Sequence, residues 1–135
     1  GRDAVHRGDH GLGQVADGAD HGIEQPVHGD AEVGLAVLPN TSVEAVFPYL
    51  DRVRFIQFLA VSPGFSGQKF DEKILEKIQT LRARDKNAII EVDGGINGET
   101  ASPVIKAGAN VLVSSSYIWN HSNPREAFLS LKGDL

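Results

Sequence analysis

The chain has 135 residues, a formal charge of −5 at pH 7 and no cysteine, so it has the length of one ordinary domain and has no disulfide or thiolate chemistry. The acidic balance argues against nucleic-acid binding, which requires clustered Lys and Arg. No stretch approaches the roughly 20 apolar residues of a membrane span and no signal peptide is visible, so we expect a cytoplasmic protein that binds neither membranes nor nucleic acid.

Residues 1–30 differ in composition from the rest of the chain. They are rich in Gly, Asp and His and contain no Ser, Thr, Asn, Lys, Phe, Tyr or Trp. Their apolar residues follow neither strand nor helix periodicity, which predicts a weakly ordered leader ahead of a globular domain at 31–135. His6 and His10 have the spacing of metal ligands on a helix, but Gly8 and Gly11 argue against a helix there.

Four apolar runs follow, separated by amphipathic stretches. The runs predict strands at 33–37, 54–61, 88–92 and 110–115. Between the first two, Thr41 and Glu44 have the spacing of a capping box, which predicts a helix through Tyr49. The next helix has one apolar face, formed by Phe70, Ile74, Ile78 and Leu81.

Two more helices are predicted by their end signals. Asn97 is a candidate N-cap and Gly108 a candidate stop for the third helix, which Pro103 should kink or shorten. Asn123 followed by Pro124 begins the last helix, which runs to about residue 132. Strands and helices in strict alternation predict a parallel α/β sheet, covered on both faces or closed into a barrel.

Gly-rich loops follow two of the strands, where functional residues of such folds lie. Glycine lets backbone N–H groups turn toward an anion and lets the anion approach closely. The candidate anion-binding residues are Gly64, Ser66 and Gly67 in PGFSGQ, Gly94 and Gly95 in DGGIN, and Ser114, Ser115 and Ser116 after the fourth strand. One such loop alone is usually a turn, but three at successive strand ends indicate a phosphate site.

Asp93 ends the third strand beside these loops. It is a candidate general acid or base or metal ligand, and equally a residue that satisfies loop amides. Glu91 lies two residues earlier and shares its face of the strand. It is either a second carboxylate of the site or a buried structural partner.

Four motifs resemble those of the ribulose-phosphate 3-epimerase family. GLAVLPNT, AVSPGFSGQKF, IEVDGGIN and AGANVLVSSSYIW are similar, in order, to the motifs of that family's strands five to eight. The resemblance implies a TIM-barrel fold of which only about four C-terminal βα units are present, a half-barrel behind the leader. It also implies metal-assisted interconversion of D-ribulose 5-phosphate and D-xylulose 5-phosphate, with two aspartates acting on opposite faces of C3.

The family's site residues carry over onto matching positions. Asp93 matches an aspartate that is both acid/base and ligand of a divalent metal (Zn, Fe, Mn, Co or Mg). The matching phosphate-binding residues are Gly64, Phe65, Ser66, Gly67, Gly94, Gly95, Ser115 and Ser116. Ser66 and Ser115 replace usual glycines, and their Cβ atoms are expected to crowd the loops.

The family's second aspartate and two metal-binding histidines come from strands two and three, which have no counterpart here. We therefore expect a half-barrel that pairs with another copy or with a missing N-terminal half. Two alternatives stay open. One is a non-catalytic phosphate-binding half-barrel, whether fragment, pseudoenzyme or subunit. The other is a different sugar-phosphate barrel, such as a hexulose-phosphate or thiamine-phosphate synthase.

Overall fold

The computed structural model describes residues 31–61 and 69–132. The predicted leader at 1–30 and the first loop's Gly64, Phe65, Ser66 and Gly67 lie outside the described residues. Within the part that is described, no helix is long and apolar enough to cross a membrane.

The described residues form one parallel sheet of four strands. These are β1 (Leu35–Val37), β2 (Phe55–Leu59), β3 (Ile89–Asp93) and β4 (Val111–Val113). Each strand pairs with its neighbour in sequence, so the order is β1-β2-β3-β4. The four strands and the parallel α/β class predicted from the sequence are confirmed. A sheet whose strands follow one another in sequence order has the arrangement of a barrel wall.

The two faces of the sheet differ in burial. On one face, which we call the outer face, Ile56, Phe58, Ile90 and Val92 are fully buried in the core that includes helix residues Ile78 and Val104. On the opposite, inner face, the alternate residues are half-buried. They include Phe55, Gln57, Leu59, Ile89, Glu91, Asp93, Val111 and Val113.

The first predicted helix differs from the prediction in its type and in its cap. It is a 3₁₀ helix over Val43–Tyr49, and no side-chain cap bonds to its first turn. The Ser42 hydroxyl instead bonds to the Glu44 carboxylate, so Thr41 and Glu44 form no capping box. Pro48 lies inside the segment, where its missing N–H and its ring oppose continuation as an α-helix.

The second predicted helix is confirmed as α1 (Lys73–Arg84), with Ile74, Ile78 and Leu81 buried. Phe70 precedes it and packs against the core from the loop. The last predicted helix is confirmed as α4 (Pro124–Leu131), and the Asn123 side chain accepts from the Glu126 N–H as its N-cap.

The third helix begins later than predicted. Helix α2 spans Ala101–Ala107 with Thr100, not Asn97, at its N-cap position, and it ends at Gly108 as expected. Pro103 is its third residue, where a missing N–H breaks no intrahelical bond, so the proline shortens the helix without kinking it. The short α3 (Ser116–Trp119) was not predicted.

One arginine forms hydrogen bonds that connect several elements at the amino-terminal edge of the sheet. The Arg82 guanidinium donates to the Gly108 carbonyl at 2.8 and 3.1 Å and to the Asn110 Oδ1 at 2.6 Å. That same Oδ1 accepts from the Ile90 N–H at 2.9 Å. One cluster therefore joins α1, α2 and two strands at the edge opposite the Gly-rich loops.

Candidate functional site

The sheet register places Asp93 at the centre of the carboxyl edge. Asp93 pairs with Leu59 on β2 and with Val113 on β4, so three strands end level with one another. The Asp93 carbonyl accepts from the Ala60 N–H at 2.8 Å, which continues the pairing one residue beyond β2. Because alternate residues share a face, Asp93 belongs to the inner face of the sheet.

The second Gly-rich loop touches the residues on both sides of the first. A Cβ at Gly94 would lie 2.7 Å from Val61 Cγ2, and one at Gly95 would lie 2.9 Å from the Phe70 backbone. Both glycines have positive φ, +110° and +65°, where other residues are strained. The two glycines thus allow the DGG turn to lie directly against both ends of the loop after β2.

The base of the first loop is closed by a backbone bond. The Asp71 N–H donates to the Ala60 carbonyl at 2.9 Å, so the chain returns to its starting point after ten residues. The residues between Ala60 and Asp71 include the four predicted phosphate-binding positions at 64–67.

The third loop is tied to the second by a serine. The Ser114 hydroxyl donates to the Ile96 carbonyl at 2.8 Å, so this hydroxyl is engaged in holding the loops together. Ser115 is exposed and has φ of −115°, which any residue adopts. The Ser115 Cβ therefore needs no left-handed backbone, and its expected crowding of the loop stays a prediction.

Sequence reasoning missed the residue that braces the DGGIN turn. The Thr100 hydroxyl donates to the Gly95 carbonyl and accepts from the Asn97 N–H, each at 2.9 Å. The Asn97 Oδ1 in turn accepts from the Glu99 and Thr100 N–H groups. The only sequence signal is the Asn-x-x-Thr spacing, which is typical of local side-chain turns and does not reveal that Gly95 is the partner.

Glu91 has a defined partner. Its Oε1 accepts from the Gln57 amide at 2.7 Å across β2 and β3, and the two residues are directly paired in the sheet. This hydrogen bond supports the second of the two roles considered for Glu91, that of a structural partner. The half-buried bridge lies on the inner face, one layer below Asp93.

The described residues contain no cluster that would hold a metal ion. Across 31–61 and 69–132, no three or more His, Cys, Asp or Glu side chains gather. His121, the one described histidine, is exposed after α3 and bonds to the Asn123 backbone. Asp93 alone does not supply the three or four protein ligands of a zinc site.

A parallel sheet with consecutive strand order, with an acid and a Gly-rich turn at its carboxyl edge, has the arrangement of a wall of an α/β barrel. The model of the ribulose-phosphate 3-epimerase family matches residues 16–119. The chain belongs to that family. The match begins within the segment set apart by composition, earlier than GLAVLPNT at residues 34–41, the first of the four motifs.

Full-length relatives are similar over most of this chain. It is 36% identical over 107 residues to ribulose-phosphate 3-epimerase of Bacillus subtilis, covering 76% of this chain and 49% of that one. It is 37% identical to the cytoplasmic isoform of Oryza sativa and 38% to the chloroplastic enzyme of Arabidopsis thaliana. These alignments cover 73% and 76% of this chain, and 45% and 38% of the relatives. The chain spans about half the length of the curated relatives it matches.

Proposed function

We propose that this chain forms the phosphate-binding and proton-transferring half of a ribulose-phosphate 3-epimerase site. Its substrates are D-ribulose 5-phosphate and D-xylulose 5-phosphate, and we place the protein in the cytoplasm. The observation that carries the proposal is Asp93, which ends the central strand between Leu59 and Val113. Family membership supplies the reaction class.

The phosphate binds where the three loops meet. Gly94 and Gly95 supply backbone N–H groups in left-handed conformations that other residues rarely adopt. Ser115 is at the N-cap of α3 and Ser116 is its first residue, and the first amides of a helix have no intrahelical partner. Gly64, Phe65, Ser66 and Gly67 complete the cradle from the loop whose ends meet at Ala60 and Asp71. Hydrogen bonds to a charged group contribute about 1.5–3 kcal/mol each, so a few hold the substrate.

Asp93 acts as general base and general acid at C3. Its carboxylate removes the C3 proton of the ketose, leaving an enediolate whose charge is delocalised onto the C2 oxygen. Epimerisation requires return of a proton to the opposite face by a second acid. Among the described residues, Asp93 is the only acid at the strand ends that faces inward beside the loops, so this second acid belongs to another part of the chain or to another chain.

Metal assistance is part of the family's chemistry, and we propose Asp93 as one ligand of a divalent ion. The described residues do not supply the rest of a ligand set. We therefore derive no step through a metal.

The proposal is tested by proton NMR of D-ribulose 5-phosphate in D₂O with the purified chain, with and without Mg²⁺ or Zn²⁺. Loss of the C3 proton signal together with appearance of D-xylulose 5-phosphate is the expected result. An unchanged substrate spectrum, with neither exchange nor broadening, contradicts the proposal. Ribulose without the phosphate is the matched control and should show neither effect.

A second candidate function is a phosphate-binding half-barrel without turnover. The observation that favours it is the single carboxylate at the described strand ends, with no metal-binding cluster in the described ranges. In the same experiment it predicts phosphate-dependent broadening of the substrate signals without exchange at C3. A different sugar-phosphate barrel activity has no observation in its favour, because the family match and the relatives agree.

A further inference from the structure

Two hydroxyl groups hold the DGGIN turn in position, although neither binds the phosphate in the proposed site. The Thr100 hydroxyl donates to the Gly95 carbonyl and accepts from the Asn97 N–H, each at 2.9 Å. The Ser114 hydroxyl donates to the Ile96 carbonyl at 2.8 Å. Both hydroxyl-bearing side chains are half-buried, where a hydrogen bond is stronger than in open water. The two hydroxyls therefore restrain the backbone of the turn.

Together the two hydroxyls fix two successive peptide groups. The peptide between Gly95 and Ile96 is held at its carbonyl by Thr100. The next peptide runs from Ile96 to Asn97. Its carbonyl is held by Ser114 and its N–H by Thr100. Because a peptide group is planar, one that is held at both ends cannot rotate without breaking a hydrogen bond.

The restraint matters most at Gly95, because glycine loses more conformational freedom on ordering than any other residue. A mobile Gly-Gly turn would be ordered only when an anion binds, and the cost of that ordering would lower the affinity. A released Gly95 carbonyl would also be free to turn the negative end of its dipole toward the anion. The hydrogen bond from Thr100 to this carbonyl prevents both effects.

Ser114 connects the turn to the third loop. It directly precedes Ser115 and Ser116, the proposed phosphate-binding residues of that loop. Its partner Ile96 is 3% exposed and belongs to the hydrophobic core, so the Ser114 hydroxyl attaches the third loop to a rigid point of the fold. This hydrogen bond therefore restrains the distance between the second and third loops.

We propose that Thr100 and Ser114 are positioning residues for the phosphate group of the substrate. They act through the backbone that they hold, and keep the amides of Gly95 and Ser115 facing one anion. This inference rests on the proposed function, which assigns the phosphate to those loops. It gives two side chains that do not touch the substrate a part in substrate affinity.

The test is the affinity of the chain for inorganic phosphate and for D-ribulose 5-phosphate, measured by NMR titration of the backbone amide signals. Thr100→Val removes the hydroxyl and keeps a β-branched side chain of similar shape. Both dissociation constants should rise about fivefold or more, since one net hydrogen bond corresponds to about two- to twelvefold in an equilibrium constant. Thr100→Ser keeps the hydroxyl and should bind within about twofold of the natural chain.

Thr80→Val is the matched control. The Thr80 hydroxyl also donates to a carbonyl at 2.9 Å, that of Glu76 within α1, so the same group is lost away from the loops. Its phosphate affinity should equal that of the natural chain. An equal loss of affinity in the two valine variants overturns the proposal. So does a lowered urea midpoint in Thr100→Val with phosphate affinity unchanged under native conditions, because that result assigns Thr100 to stability alone.

A double variant tests whether the two hydroxyls act on one peptide. Ser114→Ala alone should also weaken phosphate binding. Combined with Thr100→Val, it should weaken binding by less than the product of the two separate factors, because both side chains hold the Ile96–Asn97 peptide and residues that share a partner are not additive. Fully multiplicative losses overturn this shared restraint.

The outcomes separate this inference from the proposed function. If the natural chain binds neither inorganic phosphate nor D-ribulose 5-phosphate, both are overturned. If the natural chain binds both ligands and Thr100→Val binds them equally well, only the positioning role is overturned and the proposed function stands.

Discussion

Replacing Gly95 by alanine tests whether the second loop depends on its left-handed turn. Gly95 has φ of +65°, which costs a residue with a Cβ about 1–2 kcal/mol. The new methyl would also lie 2.9 Å from three atoms of Phe70, two of them backbone. Backbone atoms cannot rotate away as the end of a side chain can, so a further 1–2 kcal/mol is expected, about 2–4 kcal/mol in total.

The assay for Gly95→Ala is urea unfolding followed by far-ultraviolet circular dichroism. With a slope of about 1–3 kcal/mol per molar urea, the midpoint should fall by about 1–2 M. Phosphate affinity should fall as well, because the loop must move away from Phe70. Binding is measured by titration calorimetry with D-ribulose 5-phosphate under native conditions.

Gly98→Ala is the matched control. It lies in the same turn, has no positive φ, and its added Cβ would meet only the end of the Tyr117 side chain, the hydroxyl at 2.9 Å and the Cζ atom at 3.6 Å. That hydroxyl is the far end of a side chain and shifts readily, so the change should stay within about 1 kcal/mol. Equal midpoints for the two variants would refute the reasoning from backbone conformation and contact.

Three further substitutions test contacts that hold the fold outside the site. Arg82→Ala removes charged hydrogen bonds to the Gly108 carbonyl and to Asn110. It should lower the free energy of unfolding by about 2–3 kcal/mol, and an unchanged urea midpoint would contradict this. Asn110→Ala leaves a strand N–H without its acceptor and should cost about 1–3 kcal/mol, with Asn110→Asp, which keeps the acceptor, as control. The Ser42 hydroxyl bond holds the pKa of Glu44 below its ordinary value, so Ser42→Ala should raise that pKa in an NMR titration, and an unmoved pKa would contradict the assignment.

The pH dependence linked to Glu44 has a definite sign. Its folded pKa is depressed, chiefly by the Ser42 hydrogen bond, so its contribution to stability is present above the unfolded pKa. The contribution is lost as the pH falls through the folded value. Ser42→Ala should therefore flatten the stability profile on the acid side, while leaving its shape near neutral pH unchanged.

The strands were predictable because their apolar runs are dictated by burial. The strand residues that lie under the helices must be apolar, and they are Ile56, Phe58, Ile90 and Val92. Each apolar run can therefore be recognised from its own segment of sequence. The Gly-rich turn of IEVDGGIN was predictable for a similar reason. The φ of +65° at Gly95 favours glycine whatever the rest of the fold does.

The two errors have different origins: one lies in competition between neighbouring side chains and the other in a partner that is distant in the sequence. Glu44 fits a capping pattern with Thr41, but the Ser42 hydroxyl took its carboxylate and the segment became a 3₁₀ helix. Ser114 looked like a free hydroxyl, yet it donates to the Ile96 carbonyl of the preceding loop. No local pattern reveals that contact, because it exists only after β3 and β4 pair.

The first loop's role stays a prediction. Its phosphate-binding positions at 64–67 lie outside the described residues, so only its closed base at Ala60 and Asp71 supports them. The division into a leader and a C-terminal half-barrel likewise rests on composition. A nitrogen–proton correlation spectrum with added D-ribulose 5-phosphate tests the loop, because the amide signals of Gly64 and Gly67 should shift and those of residues at the opposite edge should not.

The most direct test of the account is C3 proton exchange in D₂O by Asp93→Asn beside Asp51→Asn. Both substitutions remove one carboxylate, but Asp51 is exposed in the turn before β2, at the opposite edge of the sheet. Loss of a general base lowers proton transfer by about 10²–10⁴-fold. We therefore predict that exchange is lost to that extent in Asp93→Asn and unchanged in Asp51→Asn, with phosphate-dependent binding kept in both. Exchange at the natural rate in Asp93→Asn would contradict the account.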